Sequence, residues 1–313
     1  MAIFLGEPHV GDLLDMDSCI SALEEAFRDK AEGLAANQPR RRLPFQGRRF
    51  NLMSASMTRK GYLGFKAYGA GRGQDVALYK APEGLVAFLR SGKFGATRTG
   101  AASGLATKYM ARQDASRLGC IGTGHQAETQ ILAVSRVRRL ESIHVFGRDA
   151  ARRKAFADKM SETLGQEVRP VESAADAVRG RDIVITMTSA NEPVFDGNLL
   201  EPGTHINAAG ANVRIARELD EVAVTRAGTI AADDVEGAKL ECGDLNWAIE
   251  GAKLSWERVY ELAHIVAGLI PGRRSDDEIT LFESQGIALE DVAAAALVYE
   301  RAVERGLGTP LPF

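Results

Sequence analysis

The sequence predicts an α/β protein in which a doubly wound parallel sheet is inserted into a second, α+β domain. Three observations carry that expectation. From Arg117 onward, short apolar strands alternate with helical stretches, and such alternation builds βαβ units and a parallel sheet. A glycine-rich turn, Gly119 to Ala127, lies between the first of those strands and the first of those helices. Before Asp114 the rhythm differs, with β-like pieces following one another across turn residues only.

The elements are expected in the following order. Val10 to Ala31 places Leu13, Leu14, Ile20, Leu23, Ala26 and Phe27 on one face of a helix. Arg49–Met53, Gly61–Tyr68, Val76–Lys80 and Gly84–Leu89 read as strands of an antiparallel or mixed sheet. Gly100–Arg112 reads as a helix whose small residues, Ala101, Ala102, Gly104 and Ala106, permit close packing. In the second part the expected strands are Arg117–Ile121, Ser142–Phe146, Glu167–Val171, Ile183–Thr186, His205–Ala208, Val222–Thr225 and Thr229–Ala232. The expected helices are Gln126–Val137, Ala150–Thr163 and Ala174–Arg179, and the Ala-rich stretch Ile287–Arg305 closes the chain as another. Crossovers between parallel strands are right-handed, which leaves a doubly wound sheet as the candidate.

Composition narrows the function. The 313 residues are 45% hydrophobic and carry a formal net charge of −3, enough chain for two domains and no overall attraction for a polyanion, so nucleic acid is not an expected partner. The basic run Arg40, Arg41, Arg42, Arg48 and Arg49 is the local exception; it reads either as a solvated face or as a site for an anionic substrate. Cys19, Cys120 and Cys242 are scattered without ligand spacing, and the five histidines add none, so no metal site is expected. With no membrane-length apolar run either, the expectation is a cytoplasmic protein without a membrane partner.

The strongest chemical signal is Gly119-Cys120-Ile121-Gly122-Thr123-Gly124-His125-Gln126-Ala127. It is a G-x-G-x-x-A fingerprint: one glycine makes the tight turn, the next lets the backbone approach a pyrophosphate, and a small third residue lets helix pack on strand. The amides and dipole of the helix start then hold phosphate. Gly122, Thr123, Gly124, His125, Gln126 and Ala127 are therefore the candidate cofactor loop, His125 being read as a local hydrogen-bonding residue. At the end of the next strand, where a carboxylate would bind a ribose diol, stand Gly147 and then Arg148. That favours a 2′-phosphate and hence NADP(H) over NAD(H); Asp149, one register later, would suit NAD(H).

At these residues and beyond, the chain resembles the ornithine cyclodeaminase/mu-crystallin family through most of its length. Gly64-Phe65-Lys66 resembles the family's substrate-lysine strand, and Thr97-Arg98-Thr99-Gly100-Ala101-Ala102-Ser103 its R-T-x-A-x-S/T helix start. Pro271-Gly272-Arg273, Thr280-Leu281-Phe282-Glu283-Ser284-Gln285-Gly286 and Asp291-Val292-Ala293 resemble its P-G-R…T-L-F-x-S-x-G…D-x-A block. The resemblance implies a homodimer. A substrate-binding and dimerisation domain would comprise 1–112 plus 288–313, around a Rossmann domain at 113–287. It implies that Lys66, Arg98 and an arginine of the 40–42 run, best matched by Arg41, with Met53, bind the substrate and its carboxylate, a task suited to a guanidinium fork plus an ammonium. Taken alone, Lys66 would read as solvent-facing, and Arg98 as either a surface ion pair or a ligand. Ser284 and Gly286 are implied to lie against the nicotinamide, with Thr188 and Ser189 lining the cofactor cleft. Asp233-Asp234 reads as a loop or cap feature that could also contact substrate.

Glu218-Leu219-Asp220 sets the register of the preceding loop and matches Asn212 to the aspartate that the family's cyclodeaminases use as acid/base; Ala216 replaces a frequent lysine. An amide can orient a substrate nitrogen but cannot take up a proton at neutral pH. Lys66, Arg98 and Asn212 are thus the expected catalytic set. The expected reaction is hydride transfer at a C=N/CH–NH carbon beside a carboxylate, on a small amino- or imino-acid. Ornithine cyclodeamination and turnover-free binding of NADP(H) with a small ligand are the alternatives.

Overall fold

A computed structural model describes residues 2–69, 71 and 73–312. The chain divides into two compact units, one of the residues up to Ala101 together with those from Gly286 onward, the other of Ala102–Gln285. The helix expected from Gly100 starts earlier, at Lys93, and runs to Met110.

The first unit begins with strand β1 (Ile3–Leu5) and helices α1 (Glu7–Leu13) and α2 (Met16–Ala31). One expected helix becomes two because the Asp15 carboxylate accepts the Ser18 N–H and caps a new start. Strands β2 (Ala35–Phe45), β3 (Arg48–Met57), β4 (Tyr62–Tyr68), β5 (Gln74–Lys80) and β6 (Gly84–Arg90) follow, then α3 (Lys93–Met110). Arg40, Arg41 and Arg42 were not expected in a strand, yet β2 carries them, while Arg48 and Arg49 open β3. These strands form a mixed sheet in which β2 to β6 pair antiparallel and β1 runs parallel to β6. Period-two alternation makes β3 two-faced: Asn51, Met53, Ala55 and Met57 are buried and the residues between them are not.

In the second unit β7 (Arg117–Ile121), α4 (His125–Val137), β8 (Ser142–Phe146), α5 (Ala150–Leu164), β9 (Val168–Pro170), α6 (Ala174–Val178), β10 (Ile183–Thr186) and β11 (His205–Ala208) match the expected rhythm. Glu221–Arg226 is helix α7 and not the expected strand, because Asp220 accepts the Ala223 N–H and caps it. Then come β12 (Thr229–Ala232), α8 (Val235–Glu241), α9 (Gly243–Glu250), β13 (Val259–Glu261), α10 (Leu262–Val266) and β14 (Thr280–Glu283). Asp234 caps α8 through the Gly237 N–H, in line with the cap reading. The eight strands are all parallel, in the order β13-β12-β14-β11-β10-β7-β8-β9. Both faces are apolar: Leu118, Ile143, Ile183 and Ile185 pack with residues of α4 and α5, and Val184, Ile206, Ile230 and Leu281 with residues of α6 to α9. A parallel sheet covered on both sides has this composition.

The chain returns to the first unit as α11 (Ala288–Glu304) and β15 (Thr309–Pro310), which pairs with β1. Among the described residues no helix is long and apolar enough to cross a membrane.

Candidate active site

Two arrangements suited to an anion stand out, one in each unit. In the second, the chain goes outward from β7 through β8 to β9 and comes back to the other side of β7 as β10. The C-terminal ends of β7 and β10 are thus the switch point at which doubly wound sheets bind ligands. Gly122 follows β7 with φ +123°, and a Cβ on it would collide with the Met187 carbonyl after β10. Glycine is needed there for both backbone conformation and close approach. α4 then starts behind Gly124, which offers no side-chain cap, and Gly124, His125 and Gln126 are exposed while Ala127 is buried. Uncapped amides at an exposed helix start suit a phosphate, so the residues present fit a dinucleotide. Gly147 packs on Thr123 so tightly that a Cβ would overlap its hydroxyl. Arg148 is exposed, and Asp149 is committed to capping α5 through the Arg152 N–H at 2.9 Å. Thr188 and Ser189 follow β10 at the same sheet edge, and the Thr188 N–H donates to Glu218.

The first unit holds a buried charge cluster. Lys66, on β4, is 2% exposed and sits opposite Met53 of β3 on the face covered by α11. Its Nζ donates to Asp291 Oδ1 at 3.0 Å and lies 5.4 Å from the centre of the Tyr68 ring. Arg98, on α3, donates from Nε to the same Asp291 oxygen at 2.9 Å and from Nη1 to Glu290 Oε2 at 2.6 Å. Both carboxylates stand in the first turn of α11, where a helix favours negative charge. Burial, with the Arg98 guanidinium next in effect, pulls the Lys66 ammonium down to about 8 despite Asp291. Burial pushes Glu290 up to about 7 against the pull of Arg98.

The arginine that β2 brings to this cluster is Arg40, not Arg41. Arg40 is buried, with Nε 3.4 Å from Met53 Sδ and Nη2 donating to the Gly286 carbonyl at 2.8 Å, whereas Arg41 is exposed on the other face, opposite Leu52. Alternation along a strand lets only one of two adjacent arginines point inward. Gly286, matched in the sequence to the nicotinamide, packs here against arginines: a Cβ would lie 2.5 Å from Arg98 Nη1, and its φ is +72°. Ser284 directly follows β14 in the other unit, buried, with its hydroxyl lacking a hydrogen-bond partner. Asn212 lies exposed on the loop after β11. Glu290 went unnoticed in the sequence, and Asp291 was seen only as part of a motif; two acidic residues opening an Ala-rich helix were the available signal.

Lys66 and Arg98 thus share the two carboxylates Glu290 and Asp291, with Arg40 buried beside them. Asp291 engages one of the three Lys66 N–H donors, and Arg98 Nη2 has no partner among the described residues. The cluster can therefore accept a further carboxylate. Among the described residues no group of His, Cys, Asp and Glu could hold a metal ion.

The model of the ornithine cyclodeaminase/mu-crystallin family matches residues 2–306. Alanine dehydrogenase of Archaeoglobus fulgidus is 34% identical over 324 residues, 99% of this chain and 98% of the relative. Ketimine reductase mu-crystallin of Macropus fuliginosus is 32% identical over 72% of this chain and 69% of its own length. Thermococcus litoralis Delta(1)-pyrroline-2-carboxylate reductase, solved in complex with NADH and L-proline, superimposes with a TM-score of 0.93 at 34% identity, covering 99% of this chain and 100% of that one.

Proposed function

The chain belongs to the ornithine cyclodeaminase/mu-crystallin family, and from that premise we propose that it is an NAD(P)-dependent oxidoreductase working at a C=N/CH–NH carbon next to a carboxylate. Its substrate class is a small cyclic ketimine acid or α-amino acid. The observation that carries this reading is the buried pair Lys66 and Arg98, converged on Asp291 with N–H donors to spare and with Arg40 buried beside them. A bound nicotinamide supplies or takes up the hydride. The protein's own share is positioning and charge. Lys66, Arg98 and Arg40 hold the substrate carboxylate away from water, where each charge-assisted hydrogen bond is strengthened. Asp291 keeps the Lys66 ammonium and the Arg98 guanidinium converged on one point. Asn212 orients the substrate nitrogen and cannot act as a base, which favours redox work over cyclodeamination.

The cofactor loop from Gly122 to Ala127 holds the pyrophosphate, and Thr188, Ser189 and Ser284 line the rest of the cofactor's path. NADP(H) is preferred over NAD(H), because Arg148 is exposed and Asp149 is occupied as a cap. Titration of both reduced cofactors checks this; equal or tighter NADH binding contradicts it. The chain works as a homodimer through the outer face of the mixed sheet, where Leu43, Phe45, Leu52 and Leu63 share one exposed face by register. Light scattering should give twice the chain mass. A reducing, cytoplasmic setting suits three buried free thiols.

The test of the activity is a panel of cyclic imino acids, and of α-keto acids with amines, assayed with NADPH and NADH. At least one cyclic ketimine acid should consume reduced cofactor, and ornithine should release no appreciable ammonia. Robust ammonia release from ornithine with catalytic cofactor would overturn the reading.

A further inference from the structure

The C-terminal edge of the parallel sheet contains a carboxylate that neither the fingerprint nor the substrate cluster uses. Glu218 is fully buried in the loop between β11 and α7. Its Oε1 accepts the Thr188 N–H at 2.6 Å, and its Oε2 accepts the Gly210 N–H at 2.7 Å and the Thr186 hydroxyl at 2.9 Å. Thr186 ends β10, Thr188 follows it, and Gly210 follows the neighbouring strand β11. One side chain therefore ties together two adjacent strand ends. The fit is close: a Cβ on Gly210 would lie 2.5 Å from Thr188 N and 2.6 Å from Glu218 Oε1.

Glu218 is itself held. Asp244, in the first turn of α9, accepts the Glu218 and Leu219 amides at 2.8 and 2.7 Å. The Glu218 carbonyl accepts the Val194 N–H at 2.8 Å. Burial pushes its carboxyl above the usual range against the hydrogen bonds from Thr188, Gly210 and Thr186, so placing a carboxylate here costs desolvation that an apolar side chain would avoid. What that cost secures is geometry. Thr188 follows Met187, whose carbonyl faces Gly122, and Gly210 stands two residues before Asn212.

We propose that Glu218 is a positioning residue for the reaction, clamping the β10 and β11 ends so that the dinucleotide crevice and the Asn212 loop are ordered before the cofactor arrives. The proposal rests on the nicotinamide reading above. Without the clamp, binding must order the loops, which lowers affinity.

The test uses the full chain with Glu218→Gln, Glu218→Ala and the near-isosteric Thr186→Val, which removes one donor only. Gln keeps a single acceptor oxygen and leaves one buried amide unpaired, so NADPH affinity measured by fluorescence without substrate should fall roughly tenfold, more for Ala and about threefold for Thr186→Val. Amide hydrogen exchange at Thr188 and Gly210 should accelerate in the ligand-free variants, and kcat should fall while substrate KM stays within about twofold. A folded Glu218→Gln with wild-type NADPH affinity, exchange and kcat overturns the proposal, as does a lowered Tm with those three unchanged. Should the Glu218 variants fail to fold, unchanged affinity in Thr186→Val overturns it alone. Failure of the wild-type chain to bind either cofactor would instead overturn the nicotinamide reading.

Discussion

The cluster around Lys66 and the loop at Gly122 both suit anions, but they are made of different material. The loop is backbone: an uncapped helix start brought close to a neighbouring strand end by glycines that admit no side chain. The cluster is side chain: an ammonium, two guanidiniums and two carboxylates drawn from β2, β4, α3 and α11 and sealed from water. A backbone site binds any phosphate of the right shape and is indifferent to pH. A buried side-chain site can discriminate a carboxylate, and its charge depends on how each partner tilts the others.

Removing a charge from the cluster should have the largest effect. Lys66→Ala and Arg98→Ala each leave a desolvated carboxylate short of a partner, on the order of 2–5 kcal/mol, or roughly 30- to 5,000-fold in kcat/KM. Cofactor affinity should survive, as titration beside steady-state kinetics would read. If both variants kept near-normal kcat/KM, the substrate site would lie elsewhere. The reciprocal change is Gly122→Ala. Its Cβ meets the Met187 carbonyl at a positive φ, so cofactor affinity should drop roughly tenfold to a hundredfold, with Lys66 and its partners undisturbed. A normal cofactor Kd in this variant would remove the backbone half of the comparison.

The smallest effect expected is that of pH, and it separates the two sites without mutation. Glu290 gains negative charge as pH rises through about 7, and Lys66 loses positive charge as pH rises through about 8. Both changes make the cluster less positive. Substrate kcat/KM should therefore fall roughly threefold to tenfold between pH 7 and 9, while the affinity of the backbone loop for cofactor stays level over that range. A flat kcat/KM would mean that Lys66 keeps its proton by other means.

The same difference explains what was legible. The Gly122 loop could be read directly, since turn, close approach and helix start each demand a residue type at fixed spacing. Strands β7 to β12 could be read too, because burial on both faces leaves apolar runs such as Ile183–Ile185, whereas the short β13 and β14 were not read as strands. The cluster was legible only through Lys66 and Arg98. Glu290 and Asp291 lie 192 and 193 residues beyond Arg98 in sequence, and no local pattern marks such a meeting. Arg40 was missed for Arg41 because the inward face of β2 depends on where its pairing shifts, between Gln38 and Arg41. The helix at Glu221–Arg226 looked like a strand because Val222, Val224 and Thr225 are β-branched; its Asp220 cap decided otherwise.

In the proposed reaction, hydride moves between a nicotinamide and the carbon that bears nitrogen beside an anchored carboxylate. The direct measurement is isotopic: reduced cofactor deuterated at the transferring position of its nicotinamide ring, supplied with a cyclic ketimine acid, and the amino-acid product read by mass spectrometry and proton NMR. One deuterium per product molecule is expected, on the carbon next to the carboxylate, with one cofactor oxidised for each. Product without deuterium at that carbon, or product formed with no net oxidation of cofactor, would contradict it.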